Sequence, residues 1–191
     1  MPRAGLSRDA VVDHALGLVD RKGPEALTLA AVAQAAGVST PSLYKHVGGL
    51  EELRTLLSVR VLDELSGRVA GAVLGHSRDE ALRRLMRAYR GYVVDHPHRY
   101  AALVQRPRPG TAEAGDRLLR VLTDSLRGYG LDEDDTVHVA RCVRSAAHGF
   151  AVLEAAGGFQ LAQGLDRSYE LLVDMVLAGL PRPDHGGGAG A

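Results

Sequence analysis

Cysteine, lysine and aromatic residues are scarce in this 191-residue chain. The single cysteine, Cys142, has no partner for an intrachain disulfide, which excludes a disulfide-stapled scaffold. Aromatic residues make up 4% and tryptophan is absent. Lys22 and Lys45 are the only lysines, so every other fixed side-chain cation is arginine. No apolar run approaches the ~18 residues that read as a bilayer span. Met1 to Ser7 lacks the basic-then-apolar order of a signal peptide. These absences lead us to expect a cytoplasmic protein with no membrane partner. Net charge is missing as well: 23 Lys and Arg balance 23 Asp and Glu. Global electrostatics therefore gives no support for nucleic-acid binding, and any such argument must rest on local charge. What the chain does have is 46% apolar residues, enough for a sizeable core in one domain, or in a small domain joined to a larger one.

The apolar spacing is helical nearly throughout. Val12, Ala15, Leu16 and Val19 fall at i, i+3, i+4 and i+7, with Ser7 as N-cap and Gly23-Pro24 as the stop. Leu29, Val32, Ala33 and Ala36 repeat the spacing between a Thr28 cap and a left-handed Gly37. A short helix follows from Ser39 or Thr40, with Pro41 in its first turn, and Gly48-Gly49 ends it. Longer helices are predicted over 50–74, 78–95, 111–129, 132–156 and 166–180, with a short one at 99–105. The four acids from Asp132 to Asp135 favour the positive end of a helix dipole. They lack the alternating ligands, glycine and distal glutamate of a calcium loop. No alternating β-branched run reads as a strand, and no repeat is visible. The expected fold is all-α, with about nine helices.

Residues 28–47, TLAAVAQAAGVSTPSLYKHV, form a helix-turn-helix pattern. Two helices crossing at about 90–120° need a tight turn, and Gly37 supplies it. Small Ala33 lets the second helix approach, and Val38 and Leu43 plug the angle. Capping by Ser39 or Thr40 would leave N-terminal N–H groups for a phosphate. Ser42, Tyr44, Lys45 and His46 are placed outward, and hydroxyls, a phenol, a cation and an imidazole suit grooves and phosphates. Local charge agrees weakly. Residues 1–50 carry Arg3, Arg8, Arg21, Lys22 and Lys45 against Asp9, Asp13, Asp20 and Glu25. Arg3 and Arg8 read either as a DNA-reaching arm or as a solvated tail.

The stretch from Ala10 to Leu53 resembles the N-terminal domain of the TetR family of transcriptional repressors. The residues that carry the resemblance are Ala15, Leu18-Val19, the run Gly23 to Thr28, Val32-Ala33, Ala36 to Ser39, Leu43 to Val47, and Glu51-Glu52-Leu53. It implies that Tyr44 and His46 touch phosphate and that Thr28 caps the second helix beside the DNA backbone. It also implies that Ser39, Thr40, Pro41, Ser42 and Lys45 face the major groove. Family members commonly carry a phosphate-contacting Lys where this chain has Leu50.

Residues 141–180 resemble the C-terminal ligand-binding and dimerisation domain of a family branch marked by a Trp-His-Gly signature. Ala147 stands in place of the Trp, before His148-Gly149. Small Ala140, Ala147, Ala151 and Ala155 on the penultimate helix suggest close packing. So does the stripe Tyr169, Leu172, Val173, Val176, Leu177 and Leu180 on the last helix. They suggest a four-helix interface with a second copy, or else burial within one subunit. An effector site between the DNA-binding region and that interface has Met86, Tyr89, Tyr92, Val93, Tyr100, Val104, Arg144 and His148 as candidate lining, though each also suits ordinary core packing.

No phosphate-loop, zinc-protease or nucleophile-elbow motif occurs, so an enzyme is not expected. Cys142 is expected to be buried and inert. His96 and His98 lack a third ligand at zinc spacing, so neither metal nor cofactor is expected. The expected organisation is a DNA-binding domain over 1–49, a ligand-binding and dimerisation domain over 50–180 and a flexible tail over 181–191. The expected function is a homodimeric repressor on a near-palindromic double-stranded operator, released by a small-molecule effector that the sequence does not identify. The alternatives are a ligand-independent or architectural DNA-binding regulator, and an all-α binding protein or enzyme whose helix-turn-helix is only structural.

Overall fold

The computed structural model describes residues 6–103 and 109–181. Val104 and residues 182–191 of the expected tail lie outside the described residues. Within them the fold is all-helical: α1 Arg8–Lys22, α2 Leu29–Ala36, α3 Thr40–Leu43, α4 Leu50–Val73, α5 Arg78–Asp95, α6 Pro97–Ala101, α7 Ala112–Leu126, α8 Glu133–Ala155 and α9 Leu165–Ala178. Three of the predicted caps are made. Ser7, Thr28 and Asp132 each accept from a backbone N–H three residues on. Gly23 ends α1 at φ 82°, ψ 165°, a backbone region essentially reserved for glycine.

Two predicted elements change. The short helix expected over 99–105 is α6 at Pro97–Ala101. Pro97, two residues past the end of α5, occupies the first turn of the next helix, where its missing N–H goes unused. The helix expected over 111–129 is α7 flanked by single 3-10 turns at Pro109–Thr111 and Arg127–Tyr129.

The chain forms two compact units. One comprises Met1–Leu65 with Asp95–Arg117, the other Ser66–Val94 with Leu118–Ala191. The first sixteen residues of α4, Leu50–Leu65, belong to the first unit, and Arg60 among them bonds Asp13 of α1 at 2.7 Å.

In the first unit, Val11, Ala15 and Val19 of α1 and Leu53, Leu57, Val61 and Leu65 of α4 are fully buried. The α4 residues recur every fourth position, one continuous stripe, and each buried aliphatic side chain contributes about 1.5–3 kcal/mol. Arg99 of α6 bonds Asp20 of α1 and, at 2.7 Å, Glu64 of α4. His98 Nδ1 lies 3.1 Å from the Asp20 carbonyl oxygen, near the end of α1.

In the second unit, α5 buries Leu82, Leu85, Met86, Tyr89, Tyr92 and Val93, while α8 buries Ala140, Val143, Ala147 and Ala151. Tyr169 of α9 is fully buried, and its hydroxyl donates to the Met86 carbonyl at 2.6 Å. Burial pushes its ionisation well above the ordinary phenol range. Arg90 binds both Glu154 carboxylate oxygens, reaches Asp166 at 2.8 Å and stacks 4.9 Å from the Tyr169 ring centre. One guanidinium thus joins α5, α8 and α9. Arg87 pairs with Glu170, and Arg83 with Asp174.

Candidate nucleic-acid interface

The helix-turn-helix is built from its turn outward. Gly37 adopts φ 67°, ψ 31°, the left-handed conformation that costs an L side chain about 1–2 kcal/mol. From there Gly37 N–H donates to Gln34 and Val38 N–H to Ala33, closing α2. The reversal sends the chain into α3, only four residues long and continued by a turn in which His46 and Val47 both donate to the Leu43 carbonyl. Leu43 and Val47 are buried beneath it, along with Val32 and Ala33.

The opposite side is open. Tyr44 is 58% exposed, although it is the largest side chain on the element. Ser39, Pro41, Lys45 and Thr28 are exposed, and Thr40, Ser42 and His46 are half-buried. Thus the structure gathers all eight sequence-predicted DNA-facing residues on α3, its turn and the start of α2. One detail differs. Ser39 holds the N-cap place, but its hydroxyl lies 2.9 Å from that of Ser42 and caps no backbone N–H. A second donor on the same short turn competes successfully with the backbone.

The surrounding arginines are engaged. Arg8, a candidate DNA arm, pairs with Glu52, whose other oxygen accepts from Gly48 N–H at 2.6 Å. Arg54 pairs with Glu51, and Arg60 with Asp13, at 2.7 Å each. The acids on α1 are therefore consumed by arginines of α4 and α6. Lys45 has no anionic partner among the described residues. Sequence reading missed these pairs because most join residues more than forty positions apart, for which one chain offers no signal.

The predicted effector residues are not brought together as one set. Met86, Tyr89, Tyr92 and Val93 share the buried side of α5 in the second unit, whereas Tyr100 is buried in the first. Arg144 is exposed and His148 half-buried. Burial, then the Arg144 charge, lowers the His148 pKa below its ordinary value. Sequence reasoning also missed Ser66, whose buried hydroxyl is the one buried side-chain polar atom without a partner among the described residues. A surface groove between α7 and α8, lined by Thr123, Asp124, Arg127, Asp132 and Thr136 among others, includes none of the predicted effector residues.

The predicted dimer residues divide. Ala140, Ala147, Ala151, Tyr169, Val173 and Leu177 are buried within the chain's own second unit. Leu172, Val176 and Leu180 are half-buried, and Ala155 is exposed. The exposed large apolar side chains of these two helices are Val137, Val152 and Leu153 on α8 and Leu171 and Met175 on α9. Cys142, expected to be buried, is exposed. Apolar residues occupy more than one side of α8 and α9, so helical spacing alone does not choose the inward side.

Comparison with known proteins matches the chain in two consecutive segments. Residues 11–54 match the family described as bacterial regulatory proteins, tetR family, and residues 82–176 match the tetracyclin repressor-like C-terminal domain. An uncharacterized HTH-type transcriptional regulator of Mycobacterium tuberculosis is 36% identical, over 97% of this chain and 87% of its own. The HTH-type regulator YobS of Bacillus subtilis is 33% identical over 94% and 95%. A protein of unknown function from Rhodococcus sp. RHA1 shares the fold with a TM-score of 0.80 at 23% identity, covering 95% of this chain and all of that one. With its turn geometry, its all-helical fold and both halves matched, this chain belongs to the TetR family of helix-turn-helix transcriptional regulators.

Proposed function

We propose that this regulator is a non-catalytic homodimeric repressor that acts in the cytoplasm, holds a near-palindromic operator and releases it when a small molecule binds. The observation that carries the reading is the outward face from Ser39 to Lys45, where Ser39, Pro41, Tyr44 and Lys45 are exposed over a buried Leu43 and Val47. Such a face loses little when water is replaced by phosphates and base edges. In this reading residues 1–49 bind DNA and residues 50–180 supply effector binding and dimerisation. No cofactor is required.

The dimer contacts are assigned to Leu171, Leu172, Met175 and Val176 of α9 with Val152 of α8. These side chains are exposed or half-buried in the single chain and gain most from being covered. Half-sites then lie about one helical turn apart, roughly 34–36 Å. Effector binding is assigned to the α5 tyrosines and His148. Coupling between effector and operator is expected at ~1–3 kcal/mol, equal in both directions.

A mobility-shift titration with DNA upstream of the protein's own operon tests the reading. Sequence-specific retardation by a dimer supports it. Absence of specific binding to that DNA and to randomised duplex returns the helix-turn-helix to a structural role. Calorimetry of an effector found by screening, with and without operator, tests release. Equal effector affinity in both states refutes the coupling.

A further inference from the structure

We propose that each operator half-site presents a guanine read by Lys45 and, about two base pairs away, a thymine whose methyl group meets Pro41. This rests on the operator-binding reading above and adds the base chemistry that the α3 face selects.

The major groove admits few discriminating pairings. Arg or Lys reads guanine O6 and N7, Asn or Gln reads adenine, Asp or Glu accepts from cytosine, and apolar groups meet the thymine methyl. Between Ser39 and Val47 there is no Arg, Asn, Gln, Asp or Glu. Adenine- and cytosine-specific contacts are therefore absent from this element's repertoire, and one discriminating head group remains, the Lys45 ammonium. It is exposed, and it is not held by a carboxylate, whereas Arg8 and Arg54 are held by Glu52 and Glu51. The serines add little discrimination. Ser39 and Ser42 bond each other, and a hydroxyl serves donor and acceptor edges alike.

Pro41 is exposed, has no N–H to donate and offers ring methylenes at the surface. The two residues are four positions apart, Pro41 in α3 and Lys45 in the turn that continues it, and both are exposed whereas Leu43 and Val47 are buried. Four residues of helical or 3-10-type backbone rise about 6–8 Å. Base pairs rise ~3.4 Å, so an element aligned with the groove places the two contacts about two base pairs apart. The remaining binding energy comes from phosphates and DNA shape, so the half-site is short in strongly specified positions.

The test starts with selection of operator duplexes from random sequence by the full-length protein. Titrations follow at one salt concentration on duplexes in which the selected guanine is 7-deazaguanine, or the thymine is uracil. Loss of N7 is expected to weaken the native protein roughly tenfold and to leave Lys45→Ala, already weakened to that extent, unchanged. Loss of the methyl is expected to cost the native protein roughly fourfold and Pro41→Ser nothing further. A different result is expected if Lys45 holds a phosphate. Lys45→Ala would then weaken every duplex alike and lower the salt slope by about 1. That result, or a selected half-site without a fixed guanine, overturns the inference and leaves operator binding intact. Enrichment of no sequence overturns both.

Discussion

Around α3 the exposed positions are Ser39, Pro41, Tyr44 and Lys45, whereas α8 and α9 expose the large apolar residues Val137, Val152, Leu153, Leu171 and Met175 among polar ones. Both faces lie over a close-packed interior, Leu43 and Val47 in one case, Ala147, Tyr169 and Val173 in the other. They differ in what covering them would gain. The α3 face keeps its hydroxyls and cation hydrated and suits a partner that offers hydrogen-bond acceptors and negative charge. The α8–α9 face leaves methyl and thioether groups in water and is stabilised by any apolar surface that fits it. Outward position alone therefore does not define a function, and the chemistry of the outward groups separates the two.

The comparison is broken most severely at adjacent faces of α9. Val173→Glu places an unpaired carboxylate in the core of the second unit and is expected to cost several kcal/mol, seen as loss of the cooperative thermal transition. Met175→Glu, at a residue 65% exposed, is expected to preserve that transition and convert dimer to monomer by light scattering. Equal behaviour of the two variants would remove the distinction between core and interface on this helix.

Next in size is the clamp on α5. Arg90→Met removes the links to Glu154 and Asp166 and leaves Glu154 without its partner, and a loss of about 2 kcal/mol in urea unfolding is expected. A change indistinguishable from zero would mean that packing around Tyr169 holds the helices unaided. On the first unit, Tyr44→Ala is expected to leave thermal stability unaltered and to weaken operator binding about tenfold. Loss of stability instead would place the phenol in the fold rather than at the DNA.

The smallest effect concerns pH. Burial depresses the His148 pKa, so its protonation favours the unfolded chain. Stability is full above the unfolded value of about 6.5 and falls as pH drops through that value towards the folded pKa. Glu170 acts in a lower window. Its hydrogen bond from Arg87 lowers its pKa, so its contribution is present above about 4.3 and is lost on further acidification. Urea melts between pH 7.5 and 5.5 are expected to show a shallower decline in His148→Gln than in the native protein. An unchanged slope would assign that decline to the other histidines.

How legible each region was in the sequence follows from where its constraints lie. At α2–α3 they are local. Gly37 must take the left-handed turn, Thr28 must cap, and a four-residue helix joined to them has only one side on which Leu43 can be buried. At α8–α9 the apolar residues exceed what one side can hold. The stripe was legible as a stripe, yet its inner members Tyr169, Val173 and Leu177 are buried in the chain's own unit while Leu171 and Met175, beside it, are exposed. The same uncertainty of rotation misplaced Cys142. Pro97 was ambiguous because a proline that cannot continue one helix is equally suited to begin another.

By itself the sequence determined the helices, their caps and the turn at Gly37, because hydrogen-bond satisfaction and backbone sterics act within a few residues. The tertiary structure alone decided which side of each long helix turns inward, which arginines are spent on Glu52, Asp13 and Glu154, and that Lys45 has no such partner among the described residues. Those outcomes depend on groups brought together across tens of residues, and no local preference encodes the meeting.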